Sequence, residues 1–168
     1  MAKGKTYVVM HRRRREDKTD YRKRFLLLKS GKDRMVSRKS ANNITCQIMR
    51  YNPKGDKVIV SADSRKLKDF GWNGHCGNIP AAYLTGLLCG TKARKAGLKE
   101  AVFDIGIYTS VKGSRLYAAL KGAIDGGLNI SHSDVVLPNA DRLSGKHTKN
   151  PEKSEKEFSA AKEKILKI

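Results

Sequence analysis

The sequence predicts an α/β fold: a mixed, largely antiparallel sheet with helices packed on it (an α/β sandwich), plus an extended basic N-terminal arm and a C-terminal extension. Three observations predict it. Short runs with alternating apolar and polar residues, separated by turn residues, fill positions 34–62. After them, two segments with helical apolar spacing alternate with an apolar strand, an order that requires helices layered on a sheet. Basic residues crowd the first quarter of the chain, where apolar periodicity is nearly absent. The 168 residues suit one domain with flexible ends. Residues 1–24 read as the arm, 25–143 as the core and 144–168 as a basic, helix-compatible extension.

In residues 1–24 apolar periodicity is absent apart from Tyr7-Val8-Val9-Met10, while four arginines stand at 12–15 and Tyr21-Arg22-Lys23-Arg24 follows. Such a segment is expected to be disordered when free and to order on a polyanion. Phe25-Leu26-Leu27-Leu28 is expected to begin the core. Arg34–Ser40 and Ile44–Tyr51 read as strands around Ala41-Asn42-Asn43, whose asparagines tolerate the positive φ of a tight turn. In the second strand Ile44, Cys46 and Ile48 alternate with Thr45, Gln47 and Met49, so one face is apolar. After the turn Asn52-Pro53-Lys54-Gly55-Asp56, Lys57–Ala62 is a third strand with Val58 and Val60 on one side. Asp63–Phe70 reads as a short helix, and 71–78, with three glycines, as a loop. Pro80 fits a first helical turn, and the helix it opens runs to about Ala96 before Gly97. Ala101–Ile107 is an apolar strand interrupted by Asp104. A second helix with Leu116, Ala119, Leu120, Ala123 and Ile124 on one face ends at Gly126-Gly127. Lys149–Ile168 has helical spacing at Phe158, Ala161, Ile165 and Leu166.

Leu, Ile, Val and Phe together number 37, about 22% of the chain and just above the roughly 20% below which highly charged chains stay unfolded. The net charge is +20, and residues 1–39 hold 15 basic and 4 acidic groups, more than half of that excess. Self-repulsion of this size is relieved by a polyanion, and its gathering at one end points to a nucleic-acid-binding arm. A membrane surface is excluded as partner because the cationic stretch at 12–18 has no apolar face. No run approaches the ~20 apolar residues of a spanning helix, and the N-terminus lacks the apolar core of a secretory signal. Cys46, Cys76 and Cys89 are an odd set without a CxxC pair, which fits reduced thiols in the cytosol.

Aromatic and amide groups lie among the cations, namely Tyr7, Tyr21, Asn42, Asn43 and Gln47; rings stack on unpaired bases and amides reach base edges or 2′-hydroxyls. Lys112-Gly113-Ser114-Arg115 offers a phosphate two cations and a helix N-terminus, or is an ordinary cap; the residues do not decide between these. Trp72 in its glycine loop is better read as a lid on the core than as a stacking platform. His75-Cys76 has no paired ligand at zinc spacing, the glycine loop matches no nucleotide-binding pattern, and no cofactor is expected. Asp104-Ile105-Gly106 on its strand is where a two-metal nuclease would put a first ligand, but such chemistry needs three or four converging carboxylates. Glu100, Asp125 and Asp134 have no spacing that gathers them, so Asp104 is expected to be a buried or edge carboxylate paired with an arginine or backbone donors.

Several stretches in order carry a resemblance. Tyr21-Arg22-Lys23-Arg24, Lys29-Ser30-Gly31-Lys32 and Arg38-Lys39-Ser40 resemble the opening of large-subunit ribosomal protein family eighteen. The stretch Gly77 to Gly86, then Asp104-Ile105-Gly106, Lys112 to Arg115, Lys121 to Leu128 and Ser131-His132-Ser133 look like its archaeal and eukaryotic branch. The resemblance spans roughly residues 5–147; each motif is short, and their order and spacing make them specific. It implies an α/β sandwich and a non-enzymatic, cytoplasmic protein of the large subunit. Such a protein binds 5S rRNA, contacts 23S rRNA and helps build the central protuberance beside ribosomal protein family five, with no obligate homo-oligomer. The residues expected at the RNA are Tyr7, Arg12, Arg13, Arg14, Arg15, Tyr21, Arg22, Lys23, Arg24, Lys32, Arg34, Arg38, Lys39, Ser40, Asn43, Gln47, Lys112, Ser114 and Arg115. The competing readings are a free-standing nucleic-acid chaperone using the same arm and, from a different class, a metal-dependent nuclease using Asp104.

Overall fold

A computed structural model describes residues 4–148 and 150–168; the first three residues of the expected arm and Lys149 of the expected C-terminal helix lie outside them. The chain opens with one turn of helix, α1 (Arg12–Arg15), and a second helix, α2 (Tyr21–Leu28). Asp20 caps α2 by accepting hydrogen bonds from the main-chain N–H of Arg22 and Lys23, which satisfies two of the donors a helix start leaves open. Next come β1 (Arg34–Lys39), β2 (Ile44–Arg50) and β3 (Lys57–Asp63), a 3₁₀ helix (Ser64–Phe70), α3 (Ile79–Lys95), β4 (Val102–Asp104), and α4 (Arg115–Asp125). A short 3₁₀ turn (Asp134–Val136), α5 (Ala140–Ser144) and α6 (Pro151–Leu166) complete it.

The sheet order is β3-β2-β1-β4, with the first three strands antiparallel and β4 parallel to β1, so the sheet is mixed as expected. One face carries Met35, Ile44, Cys46, Ile48, Val60 and Ala62, all buried against helices. Their centre is α3, whose residues from Ile79 to Thr91 are all buried, as suits a helix apolar on nearly every side. Asn78 caps it, its side chain accepting from the Ala81 N–H, with Pro80 in the first turn. Helix α4 packs along α3 at close range because glycines face the neighbouring backbone: a Cβ at Gly86 would lie 1.9 Å from the Ala119 carbonyl oxygen, and one at Gly122 2.0 Å from that of Tyr83. Helix α6 closes α3 from another side with Phe158, Ala161 and Ile165, and the Phe158 ring lies 5.4 Å from that of Tyr83. The C-terminal helix is thus part of the core packing and needs no partner to dock. Trp72 is 1% exposed within the same core, as a lid requires.

Four expectations need correction. Phe25–Leu28 do not begin the core: α2 buries no residue, and Phe25 and Leu26 are 63% and 65% exposed, because α2 lies on the outside and turns only part of itself inward. Val58 and Val60 do not share a face, since a register shift at Ile48/Met49 pairs Val58 with Met49 and Val60 with Ile48 on opposite sides. Asn42 and Asn43 take no positive φ. The hairpin closes instead through Ser40, whose N–H donates to the Asn43 carbonyl (2.8 Å) and whose Oγ accepts from the Asn43 N–H (3.0 Å). The strand expected over 101–107 is confined to Val102–Asp104, because the chain turns at Gly106 with φ 64°.

The helix pair sets a test. Gly86→Ala raises helix propensity by up to ~1 kcal/mol yet drives a methyl into the backbone of α4, so a net loss of about 1–3 kcal/mol is expected in urea denaturation.

Candidate nucleic-acid interface

The longest helices, α3, α4 and α6, pack on one face of the sheet, which leaves the other face mostly to polar side chains, with Val36, Met49 and Val58 among them. By register, Arg34, Val36 and Arg38 of β1 stand beside Met49, Gln47 and Thr45 of β2, and Gln47 and Thr45 stand beside Ser61 and Asp63 of β3. Residues 13–24 pass over this face and enclose with it a cleft of about 510 Å³. Arg13, Lys18, Thr19, Tyr21 and Lys23 line it from above, and Arg38, Gln47 and Met49 from the sheet.

Under the cleft runs a chain of alternating charges. Arg24 reaches from α2 to Asp56 with two hydrogen bonds of 2.8 Å. Arg34 donates to the same Asp56 and, through Nη1 at 2.6 Å, to Asp104 on β4. Arg38 closes the series, its Nη1 donating to the Asp104 and Ser37 carbonyls and its Nη2 standing 3.4 Å from the Asp104 carboxylate. Glycine is needed at 106 for this closure, because a Cβ there would sit 2.8 Å from Arg38 Nη2. Burial pushes the Asp56 carboxyl upward, but hydrogen bonds and charge from Arg24, with the charge of Arg34, outweigh it and hold the group below the usual carboxylate range. In Arg24 the hydrogen bonds to Asp56 raise the pKa further.

The expected RNA residues fall into distinct places. Arg12–Arg15 form an exposed turn with no buried residue. Arg13 Nε donates to Thr19, Arg12 lies 4.0 Å from Glu16, and among the described residues Arg14, Arg15 and Arg22 make no ion pair. Tyr7 is exposed, and Tyr21 packs 5.3 Å from the ring of His11 and faces the cleft. Gln47 also faces it, 3.5 Å from Ser61 Oγ, and Lys23 lies at its edge beside Asp20. Arg34 does not belong with these: its side chain is 3% exposed and committed to two carboxylates, so it is structural. Arg24 is likewise engaged, and Arg38 keeps an exposed edge at 42%. A second group gathers at the hairpin. Arg115 reaches from the start of α4 to the Gly77 carbonyl (2.7 Å) and toward that of Ser40 (3.5 Å). This sets exposed Lys112 on the stretch beside Ser40 and Asn43; Ser114 is half-buried, and its Oγ is buried and makes no cap or other hydrogen bond. Lys39 stands 5.2 Å over the Tyr108 ring, whereas Lys32 is held by Glu100 at 2.6 Å, at the other end of β1.

Sequence reasoning missed Asp56, which read only as part of a turn; nothing near it in the chain announces that Arg24 and Arg34 converge there. It anticipated Asp104 correctly as a carboxylate held by arginine and backbone donors, the Gly106 N–H (2.7 Å) among them. Among the described residues no group of three or more His, Cys, Asp or Glu is placed to hold a metal ion, and no helix is long and apolar enough to cross a membrane. His75 Nδ1 is occupied by the Gly77 N–H.

Comparison with known proteins decides the family. A family model described as ribosomal large subunit proteins 60S L5 and 50S L18 matches residues 5–100 and 91–133. The large ribosomal subunit protein uL18 of Methanococcus maripaludis is 52% identical over 164 residues, 98% of this chain and 85% of that protein. The chain belongs to the uL18 family. It is therefore a structural constituent of the large ribosomal subunit, in the cytoplasm, assembled with rRNA and other ribosomal proteins, and not an enzyme.

Two predictions test the charge chain. Asp104→Ala leaves Arg34 buried with one of its two partners and is expected to lose about 3–5 kcal/mol in chemical denaturation. Because the Asp56 carboxyl is held below its unfolded value, the stability it contributes is complete above about pH 4 and is lost as pH falls through the lower, folded value. Denaturation curves from pH 5 to pH 3 should accordingly show a shallower loss in Asp56→Asn than in the wild type.

Proposed function

We propose that this chain attaches 5S rRNA to 23S rRNA in the central protuberance, next to ribosomal protein family five. In this reading, residues 1–24 and the open sheet face meet the RNA. The observation that carries it is the division among the arginines. Those at 24, 34 and 38 are engaged by carboxylates, while Arg14, Arg15 and Arg22 stand outward without one, above a face of amide, hydroxyl and ring groups. Outward cations replace phosphate counterions, and Tyr21 and Gln47 in the cleft supply a stacking ring and an amide. Ser40, Asn43 and Lys112 at the hairpin form a second place of contact.

Removing residues 1–19 keeps Asp20, Arg24 and α2 intact while deleting Arg12–Arg15. It should reduce 5S rRNA affinity sharply without unfolding the core, and Arg14→Gln with Arg15→Gln should lower the slope of log affinity against log salt by about 1–2. Unchanged binding would remove the arm from the mechanism. Equal affinity for 5S rRNA and other folded RNAs at physiological salt would favour a general RNA chaperone.

A further inference from the structure

Residues 11–28 bury no side chain. Among the described residues, the side-chain hydrogen bonds and the ion pair that join this segment to the sheet domain are those between Arg24 and Asp56. Both η nitrogens of Arg24 are committed there, one on each carboxylate oxygen, a fork-to-fork pair that fixes direction as well as distance. Asp56 is itself held from below by the buried Arg34 of β1. The polar hold on the roof of the cleft, residues 13–24, therefore rests on one carboxylate at the end of the β2–β3 turn.

We propose that Asp56 is a positioning residue for RNA binding, an acid that strengthens the binding of a polyanion, and that Arg24 is the anchor of the arm and not a phosphate ligand. The proposal rests on the RNA-binding reading above and reassigns one of its residues. Two opposite effects decide the sign. Asp56 repels phosphate through space, but its charge is engaged by two guanidinium groups, and at about 10 Å in water the residual repulsion changes affinity about twofold at most. Releasing Arg24 leaves the segment to half-buried side chains such as Tyr21, Leu27 and Leu28, and reordering it on RNA costs about tenfold in affinity. Positioning outweighs repulsion.

The experiment measures binding of transcribed 5S rRNA across a salt series for the full-length protein, Asp56→Asn, Arg24→Gln and the double variant. Each single change is expected to weaken binding about tenfold, with the double variant no weaker than the weaker single. Arg24→Gln should leave the salt slope unchanged, since no phosphate ion pair is lost. Binding by Asp56→Asn as tight as wild type or tighter overturns the proposal, as does a salt slope reduced by about one in Arg24→Gln. If Asp56→Asn fails to fold, Arg24→Gln decides alone, because Arg34 keeps both its carboxylates in that variant. Failure of the wild type to bind 5S rRNA defeats the reading beneath the proposal, an outcome distinct from either variant result.

Discussion

The alternating series Arg24–Asp56–Arg34–Asp104–Arg38 is the constraint on which the arrangement of this protein depends. It joins α2 and β1 to the β2–β3 turn and to β4, which lie 22 and 70 positions along the chain from Arg34. Strand β4 has only three residues paired with β1, so the backbone ladder alone ties it weakly, and the buried contact between Arg34 and Asp104 crosses that same strand pair. A buried guanidinium without carboxylates would be untenable, so each member requires the next. Apolar residues of the same volume would give comparable stability; what charge adds is a register in which both η nitrogens of Arg34 meet a carboxylate.

The series also explains how a chain of net charge +20 is organised. Of the four acidic groups among the first 39 residues, three act within the arm and α2 and one reaches across to β2. Glu16 pairs with Lys18 and Arg12, Asp17 sits in the turn after α1 at φ 49°, Asp20 caps α2, and Asp33 holds Arg50. Two acids from later in the chain, Asp56 and Asp104, secure the three arginines that build the fold. On α1 and the outer side of α2, Arg14, Arg15 and Arg22 are left exposed without an ion pair among the described residues, so the densest part of the charge surplus is also freely presented.

What was legible in the sequence follows from how local the signal is. The helix opened by Asn78 and Pro80, and the alternation of Ile44, Cys46 and Ile48, are written in neighbouring residues, and the structure bears both out. The face of Val58 was misread because a bulge arises from the pairing of two strands and leaves no mark in either. Phe25–Leu28 looked like core because four apolar residues in a row say nothing of what lies opposite them. Arg34 and Arg14 are indistinguishable as residues; they differ because the carboxylates that bury one of them stand 22 and 70 positions away. Asp104 was readable for the opposite reason, since a lone carboxylate in an apolar strand has few physical outcomes other than pairing.

A two-layer fold of this size must leave one sheet face uncovered, and the way this face is finished bears on its purpose. An apolar open face would associate with copies of itself. This one sets Gln47, Thr45, Ser61 and the edge of Arg38 among Val36, Met49 and Val58, and its polar groups are satisfied by water in the free protein and equally by ribose, base and phosphate in a complex. Because the helices and α6 complete the core on the far side, occupation of the open face needs no rearrangement of the packing around α3. Binding there draws on side chains already positioned by the charge series, and any RNA that selects the folded form adds its binding energy to a core of modest apolar content. In the proposed reading the arginines divide the work: those held inside set the geometry, and those left outside meet the RNA.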